Sequence, residues 1–201
     1  QWIIDLSGRV PLTAYIFAGE VVEEIISPIP SQVVLGTGGS MAFLQGWPIV
    51  SLVFLAAIAS IAKSVTTLLF YGVARKLEDR LVPLIGKYVG ITQEEVESVG
   101  KTFDKNGKKG FLSVFVLRCI PIVPSAPLSI ACGLFKLPLR TFFLATLAGN
   151  WLRGFTILLT GYLGFDVLQA WIHGALDART IATTVVVLLL GAGIGWGYWQ
   201  R

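Results

Sequence analysis

Two stretches of sequence decide the fold: EEIISPIPSQVVLGTGG at residues 23–39 and RCIPIVPSAPLSIACG at residues 118–133. Each belongs to an apolar segment, residues 16–42 and residues 111–135, that proline interrupts. Proline removes a backbone donor and clashes with the preceding helical turn, and each remaining arm of about a dozen residues is too short to cross a bilayer. Irregular backbone is tolerated inside a bilayer only where protein buries it or water reaches it. We therefore predict that each segment folds as helix, break, helix, in a re-entrant hairpin.

The composition is that of a membrane protein. Of 201 residues, 54% are hydrophobic and only 14% are charged, and the mean hydropathy of +0.74 excludes an ordinary soluble domain. The net charge of +4 would suit nucleic acid, but bases in the loops of a membrane protein usually set its orientation. We therefore expect no nucleic-acid partner. The first residues show no cleavable signal pattern.

Three further segments are long and apolar enough to span a membrane as single helices. Residues 180–199 carry no charge. Residues 47–71 have one charged residue, Lys63, and residues 141–165 have one, Arg153. Residues 75–110 are instead polar, with eight Lys or Arg and six acids. Placing this loop in the cytoplasm, with Lys136, Arg140 and Arg201, satisfies the positive-inside rule.

The two halves of the sequence resemble each other. Residues 30–31 align with residues 124–125 at an offset of 94, which also sets Glu24 against Arg118, and residues 54–72 align with residues 143–161 at an offset of 89. One membrane crossing per half makes the halves an inverted repeat. The predicted fold is an all-α membrane protein in one membrane domain, residues 1–201. Its parts are repeat 1 (about 10–75), a cytoplasmic connector (76–110), repeat 2 (about 111–165) and an additional C-terminal transmembrane helix (180–200).

Charged residues at membrane depth are the candidates for function, because each costs roughly 2.5–3.5 kcal/mol to insert. Arg118 can hold a phosphate group with two parallel hydrogen bonds, or it can form a structural ion pair with Glu23 or Glu24. These two roles are compatible.

Glu20, Glu23 and Glu24 share one helical face. Burial and neighbouring carboxylates favour a bound proton, so they are candidates for proton coupling, although Glu20 is expected in interfacial water. Lys63 and Arg153 either flank the same cavity or snorkel to the interface.

Most enzymatic sites are excluded by composition. His173 is the single histidine, and Cys119 and Cys132 lack metal-binding spacing, so no hydrolytic triad, metal centre or cofactor site is predicted. Glycines at positions 191, 193, 195 and 197 favour close helix packing within the fold or in a homodimer.

The quoted hairpin motifs and FFLATLAGNW at residues 142–151 resemble the DedA family, also called the VTT or SNARE-associated domain, over about residues 10–164. The resemblance implies two opposed re-entrant hairpins and transport of lipids between leaflets: undecaprenyl phosphate or phosphatidylethanolamine in bacteria, scrambled phospholipids in eukaryotes. It also implies functional roles for Glu23 or Glu24 and for Arg118. Substrate-binding candidates in these motifs, together with Arg118 and Arg153, are Pro30, Ser31, Pro121, Pro124, Ser125 and Asn150.

This chain departs from the common bacterial pattern at two positions. Gln32 stands where many members have glutamate, and Pro124 stands where they have a second arginine. One guanidinium compensates the charge of a dianionic phosphate less than two do, which weakens the case for undecaprenyl phosphate as the substrate. Arg153 could take the place of the second arginine.

The predicted function is a lipid flippase or scramblase of the cell membrane that moves phosphate-containing lipids and uses no cofactor. The alternatives are a proton-coupled carrier of a small ion and a scaffold that binds partners through residues 75–110. An enzyme is not predicted.

Overall fold

The computed structural model describes residues 11–26, 31–77, 107–120, 123, 125–172, 181–189 and 192. These residues form helices and turns and contain no strand. The helices are α1 (Leu12–Ile25), α2 (Ser31–Leu44), α3 (Ser51–Lys76), α4 (Gly107–Cys119), α5 (Ser125–Leu134), α6 (Leu139–Ile172) and α7 (181–189).

The predicted interruption of both apolar segments is confirmed. In the first hairpin, α1 ends at Ile25 and α2 begins at Ser31. In the second, α4 ends at Cys119 and α5 begins at Ser125. The four arms have 14, 14, 13 and 10 residues, and about 20 are needed to cross a bilayer.

Two helices in the described part of the chain are long and apolar enough to span a membrane, Ser51–Lys76 and Leu139–Ala170. Both differ from the predicted ranges. Pro48 lies in the turn before α3 and Pro138 lies directly before α6, and proline favours such positions over a helix interior. Residues 181–189 of the predicted C-terminal span are helical. Residues 78–106 of the predicted connector lie outside the described residues.

An apolar stripe runs along one face of α3. Consecutive members are one or two helical turns apart and remain 50–62% exposed: Phe54, Ile61, Val65, Leu69 and Val73. A contiguous stripe of this kind marks a surface that another apolar phase covers, as lipid would cover a spanning helix.

The chain divides into two compact units. Unit 1 comprises Gln1–Ala62 and Trp151–Arg201, and unit 2 comprises Lys63–Asn150. Unit 1 therefore contains the first hairpin, the first half of α3 and the second half of α6. Unit 2 contains the second hairpin, the second half of α3 and the first half of α6.

In unit 1 the first hairpin packs against both long helices. Ile16 and Leu35 share a buried cluster with Leu55 of α3 and Leu158 of α6. The helices approach closely at glycine, since a Cβ on Gly39 would overlap the carbonyl oxygen of Leu158. The glycine therefore sets how near α2 lies to α6.

Unit 2 is built from the corresponding elements of the second half. Val114 of α4 and Cys132 of α5 share a buried cluster with Tyr71 of α3 and Phe142 of α6. A Cβ on Gly133 of α5 would lie 2.5 Å from the carbonyl oxygen of Tyr71. Gly39 and Gly133, which the sequence aligns, thus both allow the second hairpin arm to touch a long helix.

The turns after α2 and α5 have the same hydrogen bonds. The amide of Trp47 donates to the carbonyl of Ala42, and the amide of Leu137 donates to the carbonyl of Cys132. Gly46 and Lys136, one residue earlier, have φ of 70° and 51°. This is the Schellman ending of a helix. The offset between the halves falls from 94 at the starts of α2 and α5 to 90 here, because α5 is four residues shorter, about one helical turn.

Candidate functional site

Unit 1 contains a buried polar cluster centred on the first residue of α2. The hydroxyl of Ser31 donates to Glu23 Oε1 at 3.0 Å and accepts from Arg153 Nη2 at 3.2 Å. Ser31 is 3% exposed, and Glu23 and Arg153 are each 9% exposed. One hydroxyl thus joins a carboxylate to a guanidinium, and all three residues were predicted from sequence to be functional.

The other two glutamates of α1 are also buried. Glu20 is 1% exposed and Glu24 is 2% exposed. The expectation that Glu20 lies in interfacial water is therefore wrong, because protein atoms cover it on every side. Its place on one helical face with Glu23 and Glu24 follows from their spacing.

Unit 1 also contains an open groove, one of whose lining residues, Gln32, directly follows Ser31 in sequence. It has a volume of about 530 Å³ and runs between α2 and the second half of α6, lined mainly by Gln32, Gly36, Ser40, Ile157, Gly161 and Phe165. The Ser40 hydroxyl lies 3.1 Å from the carbonyl oxygens of both Gly36 and Gly161 and has one hydrogen to share between them. The groove surface is therefore mostly apolar, with polar side chains at Gln32, Thr37, Ser40 and Thr160 along it.

Unit 2 buries the other predicted arginine, Arg118, which is 1% exposed. Its Nη2 donates to Ser129 Oγ at 2.7 Å, and its Nη1 donates to the carbonyl oxygen of Ser125 at 3.4 Å. Ser129 in turn donates to the same carbonyl at 2.8 Å. The guanidinium is held at the first turn of α5, where the positive end of the helix dipole also favours an anion.

The stem of Arg118 lies along α6. A Cβ on Gly149 would overlap Cβ of Arg118, and the guanidinium carbon lies 5.8 Å from the ring centroid of Phe142. Gly149 and Phe142 are seven residues apart and share one face of the helix. The absence of a side chain at position 149 therefore fixes the path of Arg118, and the ring of Phe142 supports its charge.

Asn150 and Lys63 lie in unit 2 as well. Asn150 is 4% exposed, and its Nδ2 donates to Ser64 Oγ at 3.4 Å. Lys63 is 3% exposed, so snorkelling to an interface does not describe it. Sequence reasoning missed Ser64, Ser129 and Thr146, which is 0% exposed. The only available signals were the presence of Thr146 in the FFLATLAGNW motif and the helical spacing of Ser129 from Ser125.

The two units carry opposite charge in their described parts. In unit 1, Glu20, Glu23, Glu24 and Asp166 accompany a single base, Arg153. The described residues of unit 2 include no acid and eight bases. At the aligned positions, Glu24 and Arg118, the charge is reversed. Among the described residues, positive charge therefore predominates in unit 2 and negative charge in unit 1.

Three predicted site residues, Pro30, Pro121 and Pro124, lie outside the described residues, and so does the glycine-rich stretch that suggested a homodimer. Ser125 is described and supplies its carbonyl oxygen to Arg118. An ion pair between Arg118 and Glu23 or Glu24 stays a prediction. Among the described residues, no group of three His, Cys, Asp or Glu is arranged to hold a metal ion.

Comparison with known proteins places the chain in a family. The sequence model of the VTT domain matches residues 29–163. An alkaline phosphatase-like protein of Lactococcus lactis subsp. lactis is 31% identical over 85% of this chain and 77% of that protein. Undecaprenyl phosphate transporter A of Staphylococcus aureus is 26% identical over 80% of this chain and 79% of that protein.

The transporter of the same name from Bacillus subtilis is 28% identical over 88% of this chain and 84% of that protein. No solved structure matches the chain. The chain therefore belongs to the VTT-domain, or DedA, family of membrane proteins, as its hairpin motifs predict.

Proposed function

We propose that this protein carries lipids with a phosphate-containing headgroup from one leaflet of the cell membrane to the other. The observation that carries the proposal is the burial of Arg118 in unit 2, with two hydrogen bonds to the start of α5 and a phenyl ring below it. A guanidinium held this way offers a planar set of donors that matches phosphate oxygens. It keeps its charge at every physiological pH.

The energetic task of such a carrier is to lower the barrier that hydrocarbon presents to a charged headgroup. An isolated ion is strongly disfavoured in an apolar medium, whereas one that meets a guanidinium and polar side chains is not. The acyl or prenyl chains need no such help and stay in lipid. The chemistry therefore requires binding residues along a path and no covalent step.

The proposed arrangement in the membrane is an inverted repeat of two re-entrant hairpins within one membrane domain. The matching turns at Gly46 and Lys136, and the matching glycine contacts of α2 and α5, support a common plan for the two halves. The arms of 10–14 residues support re-entrance. With residues 76–110 in the cytoplasm, the chain crosses the membrane several times.

The names of the relatives support a phosphate-bearing ligand. Two of them are called undecaprenyl phosphate transporter A. The substrates of this chain are accordingly undecaprenyl phosphate or phospholipids. A transport role accounts for the buried arginines without a nucleophile.

Proton coupling is the proposed role of unit 1. Glu20, Glu23 and Glu24 are all at least nine-tenths buried on one helix, and ionisable side chains buried at membrane depth are typical of proton relays in transporters. The same carboxyl groups would serve a carrier of small ions that needs no lipid. Lipid exchange by the Glu24→Gln variant separates the two cases. If the protein is a proton-coupled lipid carrier, the variant still exchanges lipid without a gradient, but a proton gradient no longer stimulates that exchange. If the protein is an ion carrier, neither the wild type nor the variant exchanges lipid.

The test is leaflet exchange of two labelled lipids, a phospholipid and a polyprenyl phosphate labelled on its chain, in vesicles that contain the purified protein. Arg118→Gln is expected to lower the exchange rate at least tenfold. Arg118→Lys is expected to restore the rate only in part, because an ammonium group lacks the planar pair of donors that a guanidinium offers to phosphate. Arg140→Gln is the matched control, since it removes an exposed arginine from the same unit. Equal rates for Arg118→Gln and Arg140→Gln in well-folded protein would refute the proposal.

A further inference from the structure

Two buried polar atoms on α6 in unit 2 have no hydrogen-bond partner in the described part of the chain. They are Thr146 Oγ1 and Asn150 Oδ1. Thr146 is 0% exposed and Asn150 is 4% exposed. Buried polar atoms are nearly always paired in folded proteins, because an unpaired one forfeits its interaction with water. Two on successive turns of one helix point to a ligand that supplies the missing partners.

Helical spacing places Thr146 on the face of α6 that the stem of Arg118 contacts, and Asn150 directly follows Gly149. The stem of Arg118 meets α6 at Gly149, and its guanidinium lies over Phe142. Thr146 falls between these two contacts along the helix, four residues after Phe142 and three before Gly149, so all three share one face. Asn150 follows Thr146 by one more turn. The described residues of unit 2 also contain no acid that would compete for a bound anion.

We propose that Thr146 and Asn150 bind the lipid headgroup together with Arg118 and select for a phosphate monoester. This inference rests on the proposed function and identifies the headgroup that the site recognises. Arg118 and the Thr146 hydroxyl donate to phosphate oxygens. Asn150 donates through Nδ2 to Ser64, which leaves Oδ1 as an acceptor that needs a donor from the ligand.

A monoester supplies that donor and a diester does not. The singly ionised monoester carries one P–OH group and two further acceptor oxygens, whereas a phosphodiester such as a phospholipid has no P–OH. The P–OH group donates to Asn150 Oδ1 while the other oxygens accept from Thr146 and Arg118. Since the second pKa of a phosphate monoester is about 6, this form is abundant below that pH.

The experiment measures binding to the purified full-length protein in detergent at pH 5.5 by titration calorimetry. The probes are farnesyl phosphate, its methyl diester and inorganic phosphate. We expect the wild type to bind farnesyl phosphate at least tenfold more tightly than the diester, as one hydrogen bond to a charged group implies. Inorganic phosphate also carries a P–OH group and is expected to compete with farnesyl phosphate, whereas a failure to compete would count against recognition of the phosphate group itself.

Two substitutions isolate the proposed contacts. Thr146→Val replaces the hydroxyl by a methyl group of similar size. It is expected to weaken the binding of farnesyl phosphate about tenfold without lowering the thermal midpoint of unfolding. Asn150→Leu is expected to abolish the preference for monoester over diester. Thr67→Val is the matched control, because Thr67 is equally buried and its hydroxyl already donates to the carbonyl of Ser64 at 2.8 Å. Thr146→Ser keeps the hydroxyl and should keep the affinity.

The outcomes separate this inference from the proposed function. If Arg118→Gln abolishes binding while Thr146→Val and Asn150→Leu behave as Thr67→Val does, the lipid site stands and the roles of Thr146 and Asn150 are refuted. If the wild type binds monoester and diester equally, the selection for P–OH is refuted. If it binds neither farnesyl probe and also fails to exchange lipids in vesicles, the proposed function fails with it.

Discussion

The phenolic hydroxyl of Tyr162 donates a hydrogen bond to the carbonyl oxygen of Trp47 at 3.0 Å. Tyr71 forms the counterpart bond with the carbonyl oxygen of Leu137. Trp47 and Leu137 occupy the same place after the turns that end α2 and α5. Each tyrosine comes from the long helix of the other sequence half, so in both units a hairpin is attached to a helix that is distant in sequence.

Removing either tyrosine hydroxyl should destabilise the protein by a similar mechanism. A single hydrogen bond contributes about 1 kcal/mol, so Tyr162→Phe should lower the thermal midpoint by roughly 2–4 °C. Tyr71→Phe should lower it more, because the Tyr71 hydroxyl also accepts from Arg75. Thermal unfolding in detergent measures both. An unchanged midpoint in both variants would show that these bonds do not hold the hairpins.

Gly46 has a φ of 70°. Residues with a side chain, other than asparagine, rarely adopt this backbone conformation. No atom lies within 4 Å of a Cβ built there, so a substitution changes conformational energy without a steric clash. Gly46→Ala should therefore cost about 1 kcal/mol. Gly46→Asn should cost less, because asparagine tolerates this region. Thermal unfolding compares the two variants, and equal midpoints would contradict the conformational explanation.

Local chemistry in the sequence predicted where the two apolar segments are interrupted. The prolines between Ile25 and Ser31 and between Cys119 and Ser125 cannot continue a helix, and both helices end there. The burial of Glu20 was not predictable in this way. It depends on segments that pack against α1 from elsewhere in the chain, and helical spacing alone does not reveal them.

The candidate site was predicted in part for the same reason. Sequence alone identifies Arg118, Arg153 and Asn150 as candidates, because inserting a charged or amide side chain into an apolar segment costs free energy. Ser129 and Thr146 do not, since a hydroxyl in a membrane helix commonly bonds its own backbone. Only the three-dimensional structure shows that Ser129 accepts from Arg118 and that the Thr146 hydroxyl has no partner among the described residues.

Ser31 links Glu23 to Arg153 in unit 1, so Ser31→Ala should disturb both. The carboxylate loses a donor and the guanidinium loses an acceptor, each buried, which costs roughly 1–3 kcal/mol. If this cluster lines the lipid path, the exchange rate should also fall about tenfold in vesicles.

Ser51→Ala serves as the comparison for Ser31→Ala. Its hydroxyl bonds the carbonyl of Pro48 at the exposed start of α3, and it contacts no charged group there. A loss of stability without a loss of exchange in Ser31→Ala, after correction for the folded fraction, would assign Ser31 a purely structural role.

Gly149 offers the most direct test of how Arg118 is positioned. A Cβ at this position would overlap Cβ of Arg118 and lie 3.0 Å from the carbonyl oxygen of Phe115. Gly149→Ala should therefore push α4 away from α6 and move the guanidinium off Phe142, with at least a tenfold loss of lipid exchange. Overpacking of this kind also costs about 1–3 kcal/mol of stability.

The matched control for Gly149→Ala is Gly72→Ala, on α3 in the same unit. No atom lies within 4 Å of a Cβ built on Gly72, and alanine in a helix interior is favoured over glycine by about 1 kcal/mol. Gly72→Ala should thus raise the thermal midpoint and leave exchange unchanged, whereas Gly149→Ala lowers both. If Gly149→Ala transports lipid at the wild-type rate, the position of Arg118 against α6 does not matter for transport, because the substitution leaves its charge intact and changes only where it lies.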